Sequence, residues 1–329
     1  MKSLAKAVNF CEDYSSSFLD EFANDVEKGL TSEKKYLMSK YIYDDKGSLL
    51  FKKIMDLPEY YLTSCEIEIL NNIKNNIAEI MKDDTFNLIE LGAGDGKKTK
   101  ILLERFKKSN LQFRYIPIDI SESAVCDLIN NIAKELDINA SGLVTEYFYG
   151  LKHLSESDDT RKLVLFLGSN IGNMNPKNAH SFLSALRDSI NKNDNILIGF
   201  DLKKDITKLI NAYNDRQGIT AAFNKNLLSR INYELGADFD LKKFFFYCTY
   251  DVQQSAIKSF LISSEDQSVH IKAIDKQIKF EKWEPIHTES SYKYSLKDIK
   301  QMAADNGFEI IRNYFDNNKY FTDSMWRAV

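Results

Sequence analysis

Residues 90–96 are ELGAGDG, and they stand between the apolar run Phe86–Leu91 and a helical pattern at Lys98–Lys107. Glycines permit a tight turn, and they let the backbone approach a ligand closely at the carboxyl end of a buried strand. The stretch is not the dinucleotide-binding G-x-G-x-x-G, because Lys97 stands where the third glycine would be. It also differs from the phosphate-binding G-x-x-x-x-G-K-S/T loop. The stretch therefore predicts a strand, a nucleotide-binding turn and a helix.

Two acidic residues near this turn narrow the class of ligand. Glu90 immediately precedes the glycines, and a carboxylate there suits a cationic ligand better than a pyrophosphate. S-adenosylmethionine (SAM) carries an ammonium and a sulfonium group, so it is the predicted cofactor. Asp119 ends the next apolar run, 27 residues after Gly92, where a carboxylate can accept hydrogen bonds from both ribose hydroxyls. Two structural alternatives stay open: a simple strand-to-helix turn at the glycines, and a helix N-cap at Asp119.

Five short apolar runs alternate with helical stretches in the middle of the chain. The runs have the composition of strands buried on both faces, and they are Phe86–Leu91, Tyr115–Ile118, Leu143–Phe148, Leu163–Leu167 and Asn195–Phe200. The stretches between them, such as Lys98–Lys107 and Ser121–Leu136, have helical character. Strands that alternate with helices indicate βαβ units. The predicted fold class is therefore α/β, with a mostly parallel, doubly wound, Rossmann-like sheet.

The alternation stops near Lys203, and a different organisation follows. Residues 205–236 are predicted to be helical and Phe244–Ser263 to form antiparallel strands. A helix at Ser295–Asn306 and a strand at Phe308–Phe315 are predicted to return to the sheet. The sheet domain is therefore predicted at 62–203 and 292–329. A second, α+β domain is predicted from the discontinuous segments 1–61 and 204–291.

The first sixty residues are predicted to be helical. An apolar residue recurs at every fourth position and forms one helical face at Phe18, Phe22, Val26 and Leu30. A further helix is predicted from Thr63, because Thr63 and Glu66 have the spacing of a capping box and apolar residues follow at helical period.

Composition and charge limit the possible partners. The chain has 329 residues with 44 basic and 48 acidic side chains and a formal charge of −4, which argues against a nucleic-acid binder that relies on overall positive charge. The four cysteines form no C-x-x-C pair and the four histidines are scattered, so no metal site is expected. No signal peptide and no apolar run of membrane-spanning length is present. The expectation is a soluble cytoplasmic protein with a small-molecule substrate, and a monomer is favoured.

Several further motifs, in order from about residue 18 to the C-terminus, resemble those of one enzyme family. They are YDDKGS at 43–48 with Leu50 and Phe51, LPEYYLT at 57–63, FLGSNIGN at 166–173, AYND at 212–215, GITAAFN at 218–224 and HTESS at 287–291. Together they resemble the histidine N-α-methyltransferases of ergothioneine biosynthesis. The family also includes the methyltransferase part of a related thiol-histidine pathway and fungal enzymes that act on a prenylated tryptophan. The resemblance implies a Rossmann-like SAM-dependent methyltransferase domain and a substrate domain made from separate segments.

The resemblance also implies roles for individual substrate residues. Tyr43 matches a tyrosine near the substrate amine, and Asn173 and Tyr213 match the pair that holds the α-carboxylate. Glu289 and Ser291 match the pair that contacts the imidazole. Tyr43 and Asn173 are therefore the candidate catalytic residues.

Two aromatic residues and a set of cofactor positions complete the candidate site. Phe51 and Tyr60 match aromatic residues that line the same cleft. The positions that match or adjoin SAM-binding residues are Tyr60, Glu90, Gly92, Gly94, Lys97, Asp119 and Phe148.

These residue types suit methyl transfer to an amine. The nucleophile must be a neutral amine with a free lone pair, so catalysis depends mainly on positioning two bound molecules. A tyrosine hydroxyl and an asparagine amide orient an amine without adding a buried charge. A carboxylate opposite an imidazole accepts its N–H and favours the cationic ring. An apolar substrate side chain would leave a buried Glu289 without a partner, which is unfavourable.

Each substrate residue also has a structural alternative. Tyr43 and Tyr60 are also consistent with packing tyrosines, Asn173 with a helix cap, and Glu289 with a solvated surface charge.

Two positions depart from the family pattern. The third strand of the histidine enzymes ends in an Asp-Phe pair near the adenine, whereas Tyr147-Phe148 stands here and only Phe148 is retained. A methionine near the imidazole pocket aligns with Ser259, whose smaller polar side chain would enlarge or repolarise the pocket.

The leading hypothesis is the transfer of up to three methyl groups from SAM to the α-nitrogen of histidine, which gives the betaine hercynine. The nearest alternative is the same reaction on another amino acid or on an aromatic amino-acid derivative. A methyltransferase that acts on protein or nucleic acid and a non-catalytic cofactor-binding protein are the alternatives from other classes.

Overall fold

The computed structural model describes residues 6–9, 14–120, 122–145, 147–157 and 159–329. The chain divides into two units. The first, here called the sheet unit, contains Ser64–Lys203, Tyr294–Val329 and the strand Lys6–Asn9. The second, here called the second unit, contains Asp13–Thr63 and Lys204–Lys293.

Strands and helices alternate through the sheet unit. The described strands are β1 Lys6–Asn9, β2 Phe86–Leu91, β3 Phe113–Asp119, β4 Ser141–Val144, β5 Arg161–Phe166, β6 Asn195–Asp201, β7 Phe244–Asp251, β8 Ala256–Ser263, β9 Gln267–Ile271, β10 Lys276–Phe280, β11 Pro285–Tyr292, β12 Phe308–Phe315 and β13 Phe321–Ala328. The described α-helices are α1 Tyr14–Leu30, α2 Asp45–Met55, α3 Tyr61–Met81, α4 Lys97–Lys108, α5 Glu122–Leu136, α6 Tyr147–Ser157, α7 Pro176–Asp188, α8 Ile206–Ala212, α9 Ile219–Leu235 and α10 Leu296–Asp305.

The sheet unit contains one eight-stranded sheet with the order β1-β4-β3-β2-β5-β6-β13-β12. The strands from β1 to β6 are parallel to their neighbours, and β13 and β12 form an antiparallel edge. All six residues of β2 and all seven of β6 are buried, as expected for strands covered on both faces. The predicted α/β, Rossmann-like fold is confirmed.

The strand order places the glycine turn at a favourable position for a ligand. Chain order along the sheet reverses between β2 and β5, so the carboxyl ends of these two strands leave a crevice where ligands bind in open α/β sheets. Residues 92–96 follow β2 at this edge, and the loop that begins at Leu167 follows β5.

The second unit combines helices with antiparallel strands. Its sheet has the order β11-β8-β7, and β9 and β10 form a separate hairpin. The predicted apolar face of α1 is buried at Phe22, Val26 and Leu30. Helix α9 begins after Gly218 and ends before Gly236, and both glycines have positive φ. Their left-handed conformation stops the helix at each end at little steric cost.

Two strand predictions were wrong in the sheet unit. Lys6–Asn9 is a strand parallel to β4, whereas helices were predicted for the first sixty residues. The predicted strand Leu143–Phe148 ends at Val144, and Tyr147 and Phe148 belong to α6. A short apolar run does not distinguish the end of a strand from the first turn of a helix, because neither period repeats within it.

The predicted capping box of Thr63 and Glu66 was also wrong. Helix α3 begins at Tyr61, and the Glu66 carboxylate instead accepts a hydrogen bond from the Gly168 amide at 2.7 Å and pairs with Lys98. The strand β13 was not predicted, because its buried positions include the polar residues Asp323 and Ser324.

Candidate functional site

The glycine turn after β2 has a backbone that glycine adopts without strain. Gly92, Gly94 and Gly96 have φ values of 72°, 56° and 68°. A Cβ atom at Gly96 would come within 2.2 Å of Leu128 Cδ1, so this glycine lets α4 pack closely against α5. A Cβ atom at Gly94 would meet no heavy atom within 4 Å beyond its chain neighbours. The turn therefore faces open space at Gly94, and its geometry fits the predicted SAM site.

Glu90 lies behind this turn. It is 3% exposed, and its two oxygens accept hydrogen bonds from the hydroxyls of Thr99 and Tyr115. Burial raises the pKa of Glu90 to about 7, although both hydrogen bonds act in the opposite direction. These contacts tie β2 to α4 and β3. The sequence-based assignment of Glu90 to the cofactor stays a prediction, and its contacts in the protein are structural.

The two lysines at the start of α4 have different surroundings. The Lys97 side chain is 67% exposed and forms an ion pair with Asp95 at 3.2 Å. The Lys98 ammonium pairs with the Glu66 carboxylate at 2.7 Å, and the Glu66 side chain is 1% exposed. A Cβ atom at Gly168 would lie 3.1 Å from the Lys98 ammonium, so Lys98 reaches the loop after β5.

Lys97 was predicted from the sequence as a cofactor residue, whereas Lys98 was not. The helical period could have indicated that Lys98 faces the interior, because Lys98 stands four residues before the buried Leu102 and therefore shares its face. Lys98 also faces Asp323 on β13. Burial and the charge of Glu66 raise the pKa of Asp323 well above its ordinary range, and the charge of Lys98 lowers it. Lys98 therefore contributes positive charge beside two buried carboxyl groups.

Asp119 ends β3, at the same edge of the sheet as the glycine turn. Its side chain is half-buried, and burial together with the charge of Asp119 raises the pKa of Tyr147. A Cβ atom at Gly92 would come within 2.6 Å of the Tyr147 hydroxyl. Tyr147 therefore places a neutral phenol beside Gly92 and Asp119, two of the predicted cofactor-binding residues. The side chain of Phe148 lies outside the described residues.

Asn173 ends a short 3-10 helix, Asn170–Asn173, in the loop after β5, and its side chain is exposed. The N-cap of the following helix α7 is Asn175, whose side chain accepts a hydrogen bond from the Asn178 amide at 2.9 Å. Capping of α7 therefore does not explain Asn173, which excludes the structural alternative.

The predicted aromatic residues of the second unit form a continuous row. Ring centroids of Tyr43 and Phe51 are 5.6 Å apart, those of Phe51 and Tyr60 are 6.2 Å apart, and those of Tyr60 and Tyr213 are 6.0 Å apart. Phe223, which the sequence analysis did not assign to the site, packs 5.4 Å from Tyr43 and 5.8 Å from Phe51. All of these contacts except that of Phe51 with Phe223 are edge-to-face. Edge-to-face contacts fix ring orientations and thereby hold the hydroxyls of the tyrosines in place.

Polar side chains continue from the end of this row. The hydroxyls of Tyr213 and Ser291 are 2.8 Å apart. The Lys293 ammonium donates to the Tyr213 hydroxyl at 2.9 Å and to the Ser291 hydroxyl at 2.8 Å, and Lys293 is 2% exposed. Lys293 was not predicted from the sequence as a site residue. Lys293 stands two residues after Ser291, and the period of a strand could have indicated that the two side chains share one face.

Glu289 and Ser259 are brought together by strand register. Glu289 on β11 pairs with Ser259 on β8, and Ser259 pairs with Cys248 on β7, so the three side chains share one face of the sheet. Ser259 is 2% exposed and Glu289 is half-buried. Burial raises the pKa of Glu289 to about 7, and the positive charge of Lys293 opposes this rise. Glu289 is therefore not a fully solvated surface charge.

The helix that follows Tyr43 depends on Asp44. The Asp44 carboxylate accepts a hydrogen bond from the Gly47 amide at 2.7 Å and another from the Asn226 side chain at 2.7 Å. The first bond caps α2, and the second connects the cap to α9. Asp44 therefore fixes the chain immediately after a candidate catalytic residue.

Replacing Asp44 by alanine should lower the free energy of unfolding by about 2 kcal/mol, because both hydrogen bonds are lost and the Asn226 amide loses a partner. Asp205 is a matched control: it caps α8 through one bond to the Lys208 amide at 2.9 Å, and its side chain is exposed. Asp205→Ala should lower the same free energy by only about 1 kcal/mol. Urea unfolding monitored by circular dichroism measures both values, and equal losses would contradict the role of the Asn226 bond.

Two features are absent from the described residues. In the described part of the chain, no group of three or more histidine, cysteine, aspartate or glutamate side chains is placed to hold a metal ion. Among the helices of the described residues, none combines the length and apolar character needed to span a membrane.

Comparisons with known proteins agree with these features. Residues 22–328 match the family model described as "Histidine-specific methyltransferase, SAM-dependent". The chain is 36% identical over 295 residues to "Histidine N-alpha-methyltransferase" of Mycolicibacterium smegmatis, a match that covers 88% of this chain and 90% of that protein. It is 36% identical to the protein of the same name from Mycobacterium tuberculosis, covering 89% of this chain and 90% of that protein. It is 29% identical to "Ergothioneine biosynthesis protein 1" of Schizosaccharomyces pombe, covering 84% of this chain and 37% of that protein.

Proposed function

The chain belongs to the family of histidine-specific, SAM-dependent methyltransferases, and on that premise we propose that it methylates the α-amino group of free L-histidine. The product of complete reaction is the trimethylated betaine hercynine. The observation that carries the proposal is the pairing of Glu289 with Ser259 across two strands, beside Ser291 and the aromatic row that ends at Tyr213. A carboxylate and a hydroxyl close together can hydrogen-bond the two ring nitrogens of an imidazole, and this face of the second unit supplies them.

Most of the proposed cofactor residues lie in the sheet unit. When bound, SAM supplies an electrophilic methyl group on a sulfonium. Gly92 and Gly94 would let the backbone approach SAM, and Asp119 would accept hydrogen bonds from its ribose hydroxyls. Tyr147 would offer a phenol near the same pocket, in place of the acidic residue of the histidine enzymes. Lys97 stays a proposed SAM contact.

The nucleophile is the α-nitrogen of the substrate. A new bond forms from its lone pair to the methyl carbon while the bond from that carbon to sulfur breaks, so the amine must be neutral when it reacts. Tyr43 would orient the amine through its hydroxyl, and Asn173 and Tyr213 would hold the α-carboxylate. None of these side chains adds a negative charge beside the amine. A negative charge there would favour the unreactive ammonium form of the amine. The proton of the ammonium leaves to solvent before each transfer.

Glu289 would select the imidazole. The raised pKa of Glu289, about 7, lies near the ordinary pKa of an imidazole, roughly 6.5, so the two groups can share one proton at neutral pH. The shared proton gives a hydrogen bond with ionic character in a half-buried position. An apolar side chain would leave the Glu289 carboxylate desolvated and without that partner.

The aromatic row favours one alternative substrate. Tyr43, Phe51, Phe223 and Tyr60 form an aromatic wall. In the resemblance to the histidine enzymes, Ser259 matches a larger methionine. A wider pocket with an aromatic wall suits a bulkier aromatic amino acid. The alternative is therefore the same α-N-methylation on an aromatic amino acid or its derivative.

Incubation of the purified protein with SAM and each of the twenty amino acids separates the two candidates. We expect histidine to gain up to three methyl groups, followed by mass spectrometry, because its imidazole can share a proton with Glu289. Reactions without SAM give the background. Methylation of an aromatic amino acid with no mass gain on histidine would refute the proposed substrate and support the alternative.

A further inference from the structure

Lys293 is buried among the hydroxyls proposed to hold the substrate. It is 2% exposed, and its ammonium lies 2.9 Å from the Tyr213 hydroxyl, 2.8 Å from the Ser291 hydroxyl and 4.5 Å from the centre of the Tyr213 ring. Tyr213 and Ser291 are themselves 9% and 4% exposed. The backbone amide of Lys293 donates a 2.8 Å hydrogen bond to the Ser255 carbonyl. A buried ammonium in a fixed position imposes a direction on every hydrogen bond around it.

The direction follows from what an ammonium can do. It has donor protons and no acceptor, so both hydroxyls must accept from Lys293. The hydroxyls of Tyr213 and Ser291 are also bonded to each other at 2.8 Å, which uses the proton of one of them. The proton of the other hydroxyl is then directed to an acceptor outside these three groups. Whichever hydroxyl this is, its proton lies beside a positive charge, which favours an acceptor with negative charge.

We propose that Lys293 is a positioning residue that makes the Tyr213 and Ser291 hydroxyls a donor site for the α-carboxylate of the substrate. The inference rests on the proposed function, in which Tyr213 holds that carboxylate. It also gives Ser291 a share in carboxylate binding, in addition to its proposed contact with the imidazole. The positive charge favours a substrate that retains its carboxylate over the corresponding amine. The site thereby distinguishes a free amino acid from its decarboxylated product.

The test uses two histidine analogues that each lack one group. Imidazolepropionate keeps the carboxylate and lacks the amine, and histamine keeps the amine and lacks the carboxylate. Calorimetry in the presence of S-adenosylhomocysteine measures the Kd of each analogue for the wild type and for Lys293→Met, which removes the charge and keeps most of the volume. We expect the variant to bind imidazolepropionate about 10- to 100-fold more weakly and histamine within about threefold of the wild type. Equal weakening of both analogues, or no weakening of imidazolepropionate, would overturn the inference.

A matched control exists in the same unit. The Lys204 ammonium also donates to a tyrosine hydroxyl, that of Tyr61 at 2.8 Å, and lies 4.5 Å from the centre of its ring. Lys204→Met should leave both Kd values within about threefold of the wild type, because Tyr61 has no proposed role in the site. If Lys293→Met does not fold, Lys293→Gln replaces it, since glutamine keeps donor protons without the charge. The glutamine variant should show a smaller loss, again confined to imidazolepropionate.

The outcome also separates this inference from the proposed substrate. If the wild type binds neither imidazole compound and methylates another amino acid, the histidine proposal fails. The same measurement then uses the deaminated and decarboxylated analogues of that amino acid. A loss confined to the carboxylate-bearing analogue would still support the role of Lys293, and equal losses would still refute it.

Discussion

Glu289→Gln should lower kcat/KM for histidine by about 100- to 1,000-fold, while the Kd for SAM stays within about twofold of the wild type. Glutamine has nearly the same shape, but its amide cannot carry the shared proton or the negative charge. The half-buried position of Glu289 gives its charge little competition from water. Steady-state kinetics with histidine and calorimetry with SAM measure the two quantities. Equal losses for histidine and SAM would mean that Glu289 supports the fold rather than the substrate.

A surface glutamate is the control for this variant. Glu265 pairs with Lys243 at 2.8 Å, and its side chain is 51% exposed. Glu265→Gln should leave kcat/KM within about twofold, because an exposed ion pair contributes little. Glu289→Ala, which removes the whole side chain, should weaken histidine at least as much as Glu289→Gln and leave SAM binding unchanged.

The pH dependence of ligand binding gives the Glu289 variant a second readout. In the wild type, the proposed hydrogen bond between the Glu289 carboxyl group, with its pKa of about 7, and the imidazole needs one shared proton. The affinity for imidazolepropionate should therefore pass through a maximum near neutral pH and fall on both sides. In Glu289→Gln the affinity should no longer fall at high pH, because the variant has no carboxyl group that loses a proton there. Superimposable pH profiles would contradict the shared proton.

Asp119→Ala should raise the Kd for SAM by about 100-fold, the second largest effect that we expect. A carboxylate that accepts from two ribose hydroxyls forms two charge-assisted hydrogen bonds, and alanine removes both. Asp119→Asn keeps one acceptor oxygen and should raise the Kd by only about tenfold. Calorimetry with SAM measures these values.

Asp127 provides the matched control for Asp119, because it is an exposed aspartate on α5 in the same unit. Asp127→Ala should leave the Kd for SAM unchanged. Thermal melting should show that Asp119→Ala is folded, since Asp119 is only half-buried. A folded Asp119→Ala protein with wild-type affinity for SAM would rule out the proposed ribose contact.

Local patterns were enough to predict most of the sheet unit. The run Phe86–Leu91 is β2 with the predicted bounds, and the glycine turn has the left-handed backbone that its composition indicates. Both features depend on a few adjacent residues, so the sequence contains all the information that specifies them. The failures occur where a local pattern competes with a distant partner. Glu66 has the spacing of a cap, but the Gly168 amide and Lys98 bind it instead.

The features of the candidate site also divide into those that the sequence determined and those that depend on distant partners. The sequence by itself determined the fold class, the turn and the family. The resemblance to the family then predicted Tyr43, Asn173, Tyr213 and Glu289 as site residues. Only the tertiary structure decided that Lys98 rather than Lys97 is paired inside the protein and that Lys293 lies between two hydroxyls. Turn and period are properties of neighbouring residues. Helical or strand period can indicate which face a lysine takes. The partner that it meets there depends on register and packing between segments far apart in the chain, which no local pattern encodes.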